Sequence, residues 1–138
     1  RLSIMASELR VNTLKDAAGN NSIATSFVAN GSAKFWASIN GSGTIAYRDS
    51  FNSSSLTDNG SGDHSVGFSS SFNAASNYSL TGNTADTSSA TTSTIVQPYT
   101  VATLLTGSAR LNIKYGTADA VGYTDMPYES VTIHGDLA

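Results

Sequence analysis

The chain has 138 residues, no Cys, 12 Gly, 2 Pro, a charged fraction of 12% and a formal net charge of −3. Such a length suits one domain, and without Cys there is no disulfide framework, thiolate metal site or cysteine nucleophile. Seven basic residues against 10 acidic ones leave no footprint for a phosphate backbone, and no apolar run approaches the roughly 20 residues of a membrane-spanning helix, so neither nucleic-acid binding nor membrane insertion is expected.

Ser, Thr, Asn and Gly together make up roughly 45% of the chain, far above ordinary usage. Disordered low-complexity chains share that surplus with β-structures that carry hydroxyls and amides on their exposed faces. The 6 Tyr, 5 Phe and 1 Trp, interleaved with Val and Ile, separate the two cases in favour of an ordered all-β fold.

Met5-Ala6-Ser7 reads as a translation start, with residues 1–4 an upstream extension. Leu9 and Val11 alternate with Arg10 and Asn12 up to Leu14, predicting a short strand before a turn over Lys15–Asn21. A helix competes there, but Asn12 and Thr13 are poor interior helix residues. A second strand is expected over Ile23–Val28, closed by Asn30-Gly31. From Lys34 the pattern strengthens. Phe35, Ala37 and Ile39 face one way and Trp36 and Ser38 the other, Asn40-Gly41-Ser42-Gly43 interrupts, and alternation resumes over Thr44–Arg48, a hairpin pattern.

Phe51 and Leu56, then Asp58–Asp63, then His64–Phe68 with Val66 and Phe68 on one face predict a second hairpin. Residues Ser69–Ser93 are the most polar stretch, and Thr84–Thr94 reads as an exposed loop. Pro98 cannot donate to a ladder and belongs at an edge or bulge. Ala109, Leu111, Ile113 and Tyr115 alternate with Arg110, Asn112 and Lys114, and after the Gly116–Pro127 connection Tyr128–His134 forms the last strand. Seven or eight short strands with Gly, Asn and Asp turns and no convincing helix predict an antiparallel β-sandwich-like head over residues 34–138, carrying an extended N-terminal arm over residues 1–33. Leu9, Val11 and Leu14 are candidate contact residues, because the arm needs a partner to bury them.

The chemistry offered by the side chains is thin. Asp58-Asn59-Gly60-Ser61-Gly62-Asp63 has the composition of a calcium loop, but the twelfth position is Ser69, which cannot supply the bidentate carboxylate. A tight hairpin turn accounts for the same residues. His64 and His134 sit in alternating strands and are expected to face solvent or an edge, with no third ligand beside them. There is no Gly-x-Ser-x-Gly elbow, Glu8 and Glu129 are the only glutamates, and no enzymatic activity, metal or cofactor is expected. Trp36 with the tyrosines could form a sugar-stacking platform, against the plainer reading that they are core or interface residues. Tyr123 and Tyr128 are the expected exposed pair. Together with Thr87 and Thr91 of the polar loop they are candidate contact residues of the exposed surface.

Ser7–Asp16 with Gly19-Asn20, Ala33–Gly41, Gly43–Asn52 and Thr57–Asp63 resemble segments of small tail-fibre or virion-appendage proteins of tailed bacteriophages, especially phages of aquatic bacteria. The resemblance covers about half the chain, up to Phe68, and weakens beyond it. It implies a virion protein whose N-terminal segment, with Leu9, Val11 and Leu14, trimerises or attaches to other virion proteins, and whose remainder is a β-rich distal head. On such a head the Ser-, Thr-, Asn- and Gly-rich loop tips suit hydrogen bonding to host surface glycans, with Tyr123, Tyr128, Thr87 and Thr91 as the candidate host-contact residues. A capsid decoration or head-fibre protein, a secreted carbohydrate-binding module and a small glycan hydrolase are the competing readings.

Overall fold

A computed structural model describes residues 10–85, 93–116 and 121–138. Leu9, Thr87 and Thr91 lie outside the described residues, as does the Met5 start. The chain divides into two compact units, 1–32 and 33–138.

In the first unit, strand β1 (Thr13–Lys15) pairs antiparallel with β2 (Ser22–Ala24). Between them Asp16 organises the turn: its Oδ1 accepts the Asn20 N–H at 2.9 Å and its Oδ2 the Asn21 side-chain amide at 2.7 Å. These donors, the Asn20 N–H foremost, hold the Asp16 carboxyl below its ordinary pKa. The strand expected over Ile23–Val28 is corrected to a strand that stops at Ala24 and a helix, α1 (Thr25–Gly31). Thr25, Phe27 and Val28 carry β propensity, which misled the reading. The tie that turns the chain instead is Thr25, whose N–H donates to the Asn12 carbonyl at 2.9 Å and whose hydroxyl reaches the Val11 carbonyl at 3.0 Å.

The second unit is a sandwich of two antiparallel sheets. One is ordered β4 (Ala46–Phe51), β3 (Phe35–Asn40), β11 (Tyr128–Gly135), β7 (Tyr78–Ala85). In the other, β9 (Ser108–Gly116) has β8 (Ser93–Pro98) along one side and, along the other, β6 (Asp63–Phe68) followed by β10 (Val121–Tyr123); β5 (Ser53–Gly60) pairs the far side of β6. Both expected hairpins form, β3–β4 with a bulge after Ser38, and β5–β6 through the Gly60–Gly62 turn. Pro98 ends β8, which pairs only with β9 among the described residues, so its missing N–H disrupts no central ladder. The polar stretch expected as a loop over Thr84–Thr94 is shortened by strand at both ends, since Thr84 and Ala85 belong to β7 and Ser93 and Thr94 to β8.

Alternation delivers the core. Phe35, Ala37 and Ile39 of β3 and Val131 and Ile133 of β11 point inward against Val66 and Phe68 of β6, Ala109, Leu111 and Ile113 of β9 and Val96 of β8. One end is aromatic: Phe68 meets Phe35 edge-on at 5.1 Å and Phe72 at 5.0 Å, and Phe72 lies 4.5 Å from Tyr78. Tyr47 of β4 donates its hydroxyl to the Ser55 carbonyl of β5 at 2.7 Å, linking the two sheets. Burial pushes its pKa up to about 12.

Candidate functional site

The opposite end of the sandwich is polar. β6 and β11 bring His64 and Glu129 inward from facing sheets, because each shares the parity of the apolar residues that follow it: Val66 and Phe68 for His64, Val131 and Ile133 for Glu129. His64 Nδ1 lies 2.9 Å from Glu129 Oε2 with both side chains buried. The expectation of a solvent-facing or edge His64 is therefore overturned; its inward parity, legible in the sequence, outweighs the polarity of the ring. His134 has the opposite parity and is half-buried on the outward face of β11.

Three connections close over the pair. Met126 donates its N–H to Glu129 Oε1 at 3.2 Å, and its carbonyl accepts the Gly41 N–H at 2.9 Å. A Cβ at Gly41 would collide with the Glu129 carboxylate, so the interruption after Asn40 has a packing reason. Gly62 sits at φ +60°, where a Cβ would stand 2.5 Å from the Ile113 carbonyl, and its N–H donates to Asp125 Oδ1 at 2.7 Å. The same Asp125 oxygen lies 3.5 Å from His64 Nε2, which has no hydrogen-bond partner among the described protein groups. Burial works against a charged imidazole, but the Glu129 hydrogen bond and charge, with the charges of Asp125 and Asp58, outweigh it and hold the His64 pKa above its ordinary value. The arrangement sets the His64 ring between two carboxylates and, through Glu129, joins the sheets. The ring is fully enclosed. Among the described residues no group of three His, Cys, Asp or Glu side chains is placed to hold a metal ion.

Asp58–Asp63 spans the end of β5, the hairpin turn and the start of β6, and Asp58 Oδ1 accepts the Gly60 N–H at 2.9 Å. Asp63 is committed to Arg110, whose Nε donates to its Oδ1 at 2.7 Å and whose second arm takes the other oxygen. That bond holds the Asp63 carboxyl below its ordinary pKa. The guanidinium also lies 4.3 Å over the Tyr99 ring.

Tyr123 and Tyr128 are both exposed, at 53% and 42%, but the fold does not bring them together. Tyr123 pairs with Lys114 on the outward face of the β9 sheet, while Tyr128 points outward from β11 in the other sheet. Trp36 also faces outward, opposite Phe51 on one side and Thr132 on the other, so the core reading of that ring is corrected. In the first unit Val11 and Leu14 are exposed, at 38% and 43%, and they are joined by Ile23, Val28 and Phe27, the last at 73%. Phe27 borders an open depression of about 360 Å³ with Ser26, Asn30 and Gly31. Phe27 and Val28 went unnoticed because a strand reading put them on opposite faces.

Comparison with protein-family models, with curated proteins and with solved structures finds no match.

Proposed function

We propose that this is a non-enzymatic virion protein of the tail-fibre or appendage kind, a homotrimer assembled through its N-terminal unit and presenting the β-sandwich to host surface glycans. One observation carries the assembly half of this reading. Among residues 10–32 none is buried, although five large apolar side chains are present. A two-stranded hairpin and a seven-residue helix are marginal on their own, so the unit needs a further surface to acquire a core, and other copies of the chain offer one. Identical copies supply complementary apolar surface under closed symmetry, and three copies multiply weak sugar contacts without new ones. The neutral, hydroxyl-rich exterior of the sandwich and the phage resemblance of residues up to Phe68 support the second half.

Light scattering of the full chain tests the assembly. Three chain masses at micromolar concentration are expected, falling to one on Phe27→Asp or on deletion of the residues before Lys34. A monomeric full chain overturns the reading, and trimers that survive the deletion move the contact into the sandwich.

A further inference from the structure

We propose that the outward face of the β4-β3-β11-β7 sheet binds a neutral oligosaccharide, its sugar rings stacking on Trp36 and Phe51 at one end and meeting Tyr128 towards the other. The inference deepens the glycan half of the function proposed above and rests on that reading only for the source of the sugar.

Register builds the surface. Phe51, Trp36, Thr132 and Thr81 form one row across the four strands, and Asp49, Ser38, Ser130 and Asn83 form the next. Trp36 is 37% exposed and Phe51 53%. Tyr128 stands four residues before Thr132 on β11, about 13 Å along the strand, the length of two to three sugar rings. An aromatic ring offers an apolar face to the C–H side of a pyranose, and a small number of placed hydroxyls, amides and a carboxylate fix orientation. Strand spacing of about 4.8 Å sets the polar side chains beside the rings at intervals a sugar's hydroxyls can meet.

Charge selects the ligand. The only acidic group in these two rows is Asp49, which accepts hydroxyl donors and repels sulfated or uronic sugars. Arg48 at the bulge commits its Nη2 to the Pro127 carbonyl at 2.6 Å. A nucleic acid finds no cationic side chain in these two rows, and three rings set among hydroxyls make too small an apolar surface for a lipid bilayer. Neutral hydroxyl-rich chains remain.

Trp36 is the chain's one tryptophan, so its emission reports directly on the site. The full-length protein is titrated with cellohexaose, maltohexaose, chitohexaose and mannohexaose. At least one is expected to blue-shift the emission saturably, and calorimetry with the same sugar should show affinity lowered about tenfold by Trp36→Ala or Phe51→Ala. Trp36→Phe, which keeps a ring and the fold, should retain most of the affinity, and Tyr123→Ala on the other sheet should leave it unchanged. Silence from all four sugars, or undiminished affinity in Trp36→Ala, overturns the proposal. So does emission that shifts with protein concentration alone together with a lower mass for Trp36→Ala, because the face is then a contact between copies. Light scattering on the same samples separates the two proposals: trimers without sugar binding refute this site alone, and a sugar-binding monomer refutes the trimer alone.

Discussion

Residues 10–32 and the sandwich that follows have similar composition and opposite physics. Among the described residues the sandwich encloses fourteen apolar side chains, several with no exposed surface; the N-terminal unit encloses none. Both contain phenylalanine, Phe35 of the sandwich at 0% exposure and Phe27 of residues 10–32 at 73%. What separates them is the number of partners the chain supplies. Phe35 lies on a strand with neighbours on both sides and a second sheet beneath it, whereas Phe27 lies on a helix of seven residues beside a two-stranded sheet. A hydrophobic side chain stabilises only what it is buried against, so the same residue type reports fold in one region and assembly in the other.

The largest effects should fall in the sandwich. Phe35→Ala is expected to lower its stability by about 3–5 kcal/mol, read as a drop in the urea midpoint with the slope retained. Phe27→Ala should change that same transition by less than about 0.5 kcal/mol. Comparable losses from the two substitutions would break the contrast, since Phe27 would then be part of the sandwich's cooperative unit.

Much of that contrast was already legible. Strict alternation marked β3, β9 and β11, and the Gly-containing interruptions after Asn40 and Asp58 marked two hairpins, because a two-residue period with one face buried leaves few alternatives. Thr25–Gly31 was not legible as a helix: it has no side-chain N-cap bond and no acidic first turn, and the hydroxyl that orients it bonds to Val11, fourteen positions away. β7 and β8 run further into the polar stretch than composition allowed, since a strand paired on a sheet needs inward apolar residues only at alternate positions. The polar clamp was half legible. Parity puts His64 with Val66 and Glu129 with Val131, although the polarity of the ring led to the expectation that His64 faces solvent, and their meeting depends on how two sheets stack, which a single chain's pattern does not encode.

The clamp gives an intermediate effect, confined to the sandwich. His64 has a folded pKa above the ordinary 6.5, so its contribution to stability is fully present below 6.5 and is lost as pH rises through the raised folded value. The urea midpoint of the sandwich transition should therefore fall as pH climbs from about 6 towards 9, and His64→Gln, which cannot titrate, should flatten that slope. The groups facing the ring are Glu129 from β11, Asp125 from the β10–β11 connection and Asp58 from β5. Asp63 contributes in the other direction: its depressed pKa gives stability that is present above the ordinary carboxylate value of 3.8 and is lost as pH falls through the depressed one. An identical alkaline slope in the His64→Gln protein would show that the clamp is not the group titrating.

The smallest effect should belong to the N-terminal unit, and it tests whether the two regions unfold separately. Thr25→Val keeps the shape and the backbone N–H that donates to Asn12, but removes the hydroxyl bonded to the Val11 carbonyl. One neutral hydrogen bond contributes about 0.5–1.5 kcal/mol, which converts to a roughly two- to tenfold faster amide exchange wherever local opening controls protection. Ser32, whose N–H donates to the Val28 carbonyl at 3.1 Å, reports the helix end, and Ile113, whose N–H donates to Gly62 at 2.8 Å, reports the sandwich. Exchange at Ser32 should quicken while Ile113 is unchanged. If both quicken together, the helix opens only when the sandwich does, and the lack of buried residues in the N-terminal unit has a different meaning: it would be stabilised by the same transition, without a core of its own or a partner chain to provide one.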